Sequence, residues 1–271
     1  MSDRTSTTAA PSLISKVPEV TAFFWIIKVL CTTVGETFAD WVNTKLGDNL
    51  NTTSLVMASI LVVALIVQFR VRRYIPAVYW VTVVLLSVVG TLITDNMVSN
   101  FNVSLTTSTI VFTILMVVAF GSWFLSERTL SIHSIHTARR EAFYWAAILF
   151  TFALGTATGD LLAERYSLGY GKSVALFAGL IAVIGFAHWK FRLNAIVSFW
   201  AAYVLTRPLG ASIGDLLAQP RQIAADADPG TGKGFGLGTT TTSLIFLVAI
   251  LAVVVVMTLQ QRSTKRTATA S

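Results

Sequence analysis

Four aspartates recur at one position of a repeated frame. Trp25, Trp80, Trp145 and Trp200 are each followed ten residues later by a glycine (Gly35, Gly90, Gly155, Gly210) and five after that by Asp40, Asp95, Asp160 or Asp215. The copies read GETFAD, GTLITD, GTATGD and GASIGD, so a fifth acid, Glu36, belongs to the first copy alone. All five acids fall in stretches apolar enough to cross a bilayer, where a carboxylate costs roughly 3 kcal/mol to insert. Carboxylates collected in such a medium bind hard cations or carry protons. Glu36, Asp40, Asp95, Asp160 and Asp215 are therefore the candidate ion-binding or proton-carrying residues, and the four aspartates the candidate metal ligands. The bland alternative makes the aspartates interfacial acids that cap connections or pair with Lys45, Arg165 or Lys172.

The elements that hold these acids follow from helical spacing. Residues four apart stack on one face of a helix. Counting back from each aspartate gives Lys28, Thr32, Glu36 and Asp40 in the first copy, and Val83, Ser87, Thr91 and Asp95 in the second. The third copy gives Ile148, Phe152, Thr156 and Asp160, and the fourth Tyr203, Arg207, Ala211 and Asp215. Polar stripes of this kind cannot face lipid, so they are expected to converge on one another or on a wet cavity. Lys28, Thr91, Thr156 and Arg207 are auxiliary candidates. Glu36 either exchanges protons or balances the charge of Lys28 or Arg207. Gly35, Gly90, Gly155 and Gly210, one residue off the stripe, are expected to let helix backbones approach closely. Pro208, next to Arg207, removes the helical partner of the Val204 carbonyl and predicts a bend.

The chain has 271 residues, 54% of them hydrophobic and 12% charged, with mean hydropathy +0.71. Such a composition belongs to an integral membrane protein. Apolar runs near 19–42, 52–69, 76–98, 107–125, 141–163, 173–189, 194–217 and 240–260 match the length that spans about 30 Å of hydrocarbon. The fold class is an all-α membrane bundle of eight transmembrane helices, built as four tandem two-helix repeats. The repeats are expected to be parallel with 2+2 pseudo-symmetry, because every frame-bearing helix is odd-numbered. They occupy about 18–74, 75–130, 138–192 and 193–260, between tails at 1–17 and 261–271. Hydroxyl-rich runs (NTTS, TTST, GKS, TTTTS) precede the even helices and are expected to cap them.

Thirteen Lys and Arg fall on one side of these spans and five on the other, which places both termini in the cytoplasm. The net charge of +7 thus orients the chain, and nucleic acid is not expected as a partner. The lone Cys31 excludes an intrachain disulfide. DADPG at 226–230 lacks most ligands of a calcium loop, GTGKG at 230–234 lacks the strand and the hydroxyl of a nucleotide loop, and GYG and GFG are too few for a potassium filter. His133 and His136 read as a solvated loop. No nucleophile, base and orienter occur together, so an enzyme is not expected.

The fourfold unit with G-E-T and aspartate, together with the opening KVPEVTAFFWIIKVLCTTVGE, resembles a small bacterial family of membrane proteins defined only by a repeat of unknown function. The resemblance spans nearly the whole chain and implies an eight-helix bacterial inner-membrane protein without supplying any chemistry. Glu36 has Thr91, Thr156 and Ala211 as its counterparts, so the copies are not equivalent. The functional expectation is a transporter of a small cation, hard and divalent or proton-exchanged, along a polar path lined by the four frame helices. A cation channel, or a non-transport assembly or sensor protein with paired structural acids, is the alternative. No cofactor beyond a bound cation is expected; the bilayer is the certain partner, and a homo-oligomer is compatible with the pattern.

The orientation is open to a direct test. In a Cys31→Ser background, cysteines at Asn49 and Asn102 are expected to react with an impermeant thiol reagent added outside, and a cysteine at Ser131 is not. Labelling at Ser131 from outside would reverse the topology.

Overall fold

The computed structural model describes residues 15–221 and 233–270, all helical or irregular. The tail at 1–14 and the segment at 222–232, which holds DADPG, lie outside the described residues. The helices are α1 (Ala22–Lys45), α2 (Leu50–Arg70), α3 (Pro76–Asp95), α4 (Leu105–Glu127), α5 (Ala138–Asp160), α6 (Tyr170–Phe191), α7 (Ala195–Ala218) and α8 (Gly238–Ala270). Each is long and apolar enough to cross a membrane. The last one continues past the expected boundary at 260, so much of the expected C-terminal tail is helical. Pro208 lies inside α7, which runs on through it to Ala218.

The caps differ in detail from the expected ones. Asn49 accepts the Thr52 N–H and Ser104 the Thr107 N–H, each just ahead of its hydroxyl run. The runs themselves fill the first turns, where Thr109, Ser173 and Thr242 donate back to the carbonyls of Leu105, Gly169 and Gly238. A hydroxyl inside a helix satisfies itself on the preceding turn, whereas a cap must have left helical geometry. Single π-helical turns, Asn96–Asn100 and Leu161–Arg165, follow Asp95 and Asp160 directly. Such turns often mark functional sites.

The four frame-bearing helices form an inner ring in the order α1, α3, α5, α7 and back to α1. The plain helices lie outside it, α2 on α3, α4 on α5, α6 on α7 and α8 on α1. Inner spans are 61–67% buried and outer ones 6–17%, so the outer helices carry the lipid-facing surface. The packing unit is thus shifted by one helix from the hairpin written in the sequence. The ring contacts occupy two flanks of each inner helix, and its outer groove is filled by the helix that precedes it in the chain, with α8 completing the round.

Glycines set the spacing of the ring. A methyl group on Gly35 would fall on the Ser87 side chain, on Gly90 against Phe152 and Ala153, on Gly155 into Arg207 and Pro208, and on Gly210 into Thr32. Thr32, Ser87, Phe152 and Arg207 each precede the frame glycine of their own helix by three residues. One contact is therefore repeated around the ring.

At the tryptophan end the interior is filled by rings. Tyr79 and Trp80 meet at 5.0 Å, Tyr144 and Trp145 at 5.0 Å, and Trp200 and Tyr203 at 5.3 Å, with Phe24 buried among Trp80, Phe199 and Tyr203. The Tyr79 and Tyr144 hydroxyls share a hydrogen bond inside this layer. Residue 16, assigned by sequence to a solvated tail, is built into the same end. Lys16 Nζ donates to Glu141 Oε2 at 2.6 Å and to the Phe69 carbonyl at 3.1 Å, while Gln68 donates to Glu141 Oε1 at 3.1 Å. Both charged groups are buried, and burial is tolerated here because each finds a partner.

Alanine at Gly155 is expected to destabilise the bundle by about 1–3 kcal/mol, since its methyl group has to displace Arg207. Alanine at Gly121, where nothing lies within 4 Å, is expected to be neutral or to stabilise by up to ~1 kcal/mol through helix propensity. Thermal unfolding of the two variants in one detergent measures the contrast.

Candidate functional site

The polar stripes meet inside the ring, in layers. Deepest is Lys28, fully buried, with Nζ 4.0 Å from the Phe152 ring centre and 4.1 Å from that of Tyr203. Its amine has no hydrogen-bond partner. Rings on two sides offer cation–π attraction of about 2 kcal/mol where water is excluded.

Above it, toward the aspartates, Arg207 reaches across the ring axis. One guanidinium nitrogen donates to Glu36 Oε2 at 2.8 Å, to Thr156 Oγ1 at 2.7 Å and to Thr91 Oγ1, and the other donates to the Thr32 carbonyl at 3.3 Å. Arg207 is 0% exposed and Glu36 6%. Of the two partners considered for Glu36, Arg207 is the one it meets. Thr91 and Thr156, its counterparts in the next two copies, serve the same guanidinium. Arg207 can extend this way because Gly155 has no side chain on its path.

The aspartates form the next layer. Asp215 is buried, and Asp40, Asp95 and Asp160 are half-buried. Carboxylate oxygens of Glu36, Asp160 and Asp215 all lie within 4.8 Å of one another. Asp40 lies in electrostatic range of Glu36, and Asp95 in range of both. Among the described residues none of the four aspartates makes an ion pair, whether with Lys45, Arg165, Lys172 or any other base. An ion centred among three oxygens at that spacing would be at most about 2.8 Å from each, against roughly 2.0–2.6 Å for bound Mg²⁺ or Ca²⁺. Small side-chain movements close that difference.

One member of the cluster was not singled out by sequence. Glu164, in the π-helical turn after Asp160, accepts a hydrogen bond from the Tyr170 hydroxyl at 3.0 Å and lies in electrostatic range of all four aspartates. It is one more four-residue step along the third stripe, upward instead of back. Thr44, Ser99 and Gln219 hold that position in the other copies, so no repeat signal marks it.

Glu36→Gln is expected to destabilise the bundle by about 3–5 kcal/mol, because it leaves the Arg207 guanidinium buried without its anion. Adding Arg207→Met to Glu36→Gln is expected to restore most of that loss. Unfolding midpoints of the single and double variants check the coupling; equal losses in both would place the stabilisation elsewhere.

The family description Repeat of Unknown Function matches the chain four times, at residues 23–74, 78–129, 143–194 and 198–263. No curated protein and no solved structure matches it. The match accounts for most of the sequence and gives one repeat to each frame helix and the plain helix after it, and the chain belongs to this fourfold-repeat family.

Proposed function

We propose that this protein transports a small hard cation, Mg²⁺, Mn²⁺ or a proton-exchanged monovalent ion, across the membrane it spans. The observation that carries the reading is the cluster of Glu36, Asp160 and Asp215 oxygens within 4.8 Å of one another, flanked by aspartates that have no ion pair among the described residues. Oxygen-only ligands suit hard ions. Several carboxylates facing one guanidinium are stable only with added cations or protons. The distribution of basic residues supports an outward-facing acid cluster, with both termini in the cytoplasm of a bacterial cell, and parallel repeats in a 2+2 relation account for one aspartate layer and one tryptophan layer.

Transport by alternating access is favoured over a standing channel because rings fill the interior at the tryptophan end. The Glu36–Arg207 pair favours a structural role for these two residues, but the aspartates do not share in it. In this reading Arg207 acts as a tethered cation, and an arriving divalent ion competes with it for Glu36.

Asp40→Asn, Asp95→Asn, Asp160→Asn and Asp215→Asn keep shape while removing charge. Each is expected to leave the unfolding midpoint in detergent nearly unchanged and to lower cation flux into proteoliposomes at least about tenfold, the effect of losing roughly 1.4 kcal/mol at the ion site. Flux is measured over a panel of ions with and without a pH gradient. Wild-type flux in all four variants would sink the transport reading.

A further inference from the structure

A cavity of about 400 Å³ opens near the tryptophan end, between α6, the start of α7, α1 and the loop at 130–133. Its size is within the roughly 300–1,000 Å³ of small-ligand sites. Most of the wall is apolar, with Trp25, Ile184, Phe199 and Ala202 among its residues, and an aqueous solute would gain little there. Its polar side chains are few, Ser131, His133, His188 and Ser198, and none is acidic. Ser198 lines the cavity, is 7% exposed, and leaves its buried Oγ without a hydrogen-bond partner. His188 lines it too, with Nδ1 2.9 Å from the Leu193 carbonyl. A carbonyl only accepts, so Nδ1 carries the hydrogen, and Nε2 donates to an anionic ligand in the imidazolium form. Ser131 and His133 add to the polar rim, and the exposed Lys190 and Arg192 follow His188 in the chain. No Asp or Glu lines the cavity.

An apolar chamber with a buried hydroxyl donor and a basic rim calls for a ligand with a hydrocarbon part, an ester or similar acceptor, and an anionic head. The position supplies the source, since α6 is apolar enough to cross a membrane and only 6% buried, so its flank is open to lipid. We infer that this cavity is a binding site for one anionic phospholipid, its acyl chain among Trp25, Ile184 and Phe199 and its phosphate at His133 and His188. Gly185 faces the same space. A Cβ added there meets nothing within 4 Å, so a larger residue at this position has open space in which to start toward the cavity.

The full-length protein, stripped of lipid in detergent, is titrated with phosphatidylglycerol, phosphatidylcholine or inorganic phosphate, and retained molecules are counted by native mass spectrometry. One phosphatidylglycerol per chain is expected, bound about tenfold or more tighter than phosphatidylcholine, with no competition from phosphate, since the acyl chain supplies much of the binding free energy. Gly185→Phe is expected to abolish retention at an unchanged unfolding midpoint. Converting His133 and His188 together to Gln is expected to reduce phosphatidylglycerol to the affinity of phosphatidylcholine. Should Gly185→Phe fail to fold, Ser198→Ala, which removes one hydroxyl, decides the matter by a loss of about two- to fivefold. Undiminished retention in the filled variant, equal affinity for the two lipids, or full displacement by phosphate would each overturn the assignment.

Discussion

Arg207 ties the inner ring together. From α7 its guanidinium bonds to the Thr32 carbonyl and the Glu36 carboxylate on α1, to Thr91 on α3 and to Thr156 on α5, so each of the other three inner helices contributes an acceptor to one cation. A buried guanidinium is among the most expensive groups to desolvate; here Glu36 answers its charge and both terminal nitrogens find acceptors, while Nε is buried without one. That set of bonds fixes the helices in register as well as in distance. The repeated approach of glycine to neighbour around the ring lets the acceptors come this close, and Gly155 leaves the space through which the arginine stem passes.

The same interaction divides the chemistry of the interior. Toward the aspartates lie four carboxylates that make no ion pair among the described residues; toward the tryptophans lie the Lys28 amine, without a hydrogen-bond partner, and a packed layer of rings. A fourfold frame would by itself give four equivalent faces, yet the residues that break the symmetry are single. Glu36 and Lys28 come from the first copy, Glu164 from the third and Arg207 from the fourth. Duplication thus supplied a scaffold, and single substitutions within it placed the charges.

The frame and the eight spans were legible because both rest on spacing: W-x9-G-x4-D survives in each copy, and hydrocarbon thickness sets span length whatever the neighbours. Which base answers Glu36 was not legible. Lys28 and Arg207 both lie on the polar stripes, and the choice depends on which stem can cross the axis, a matter of the absent side chain at Gly155 on a third helix. Glu164 stayed hidden because it follows the frame through a π-helical turn and has no counterpart acid in the other copies. The one-helix shift in packing escaped for a similar reason, since sequence shows which helices are joined by short connections but not which grooves remain open. Lys16 reads as a tail residue because its partner Glu141 lies 125 positions away in the chain.

On the cation-transport reading, the layering also sets the order of events. An ion drawn into the aspartate layer next meets Arg207, and beyond it Lys28, two basic groups inside the ring, before the rings of Phe24, Trp80 and Trp145. On that reading passage is opposed at the basic groups and again at the rings, which is the arrangement that alternating access requires. Movement of an inner helix that draws Arg207 off the axis would remove the first obstacle and free Glu36 for the ion in the same step. Binding and opening would then be one event, because the ion replaces the guanidinium as the group that the acids and hydroxyls of the inner ring hold in common.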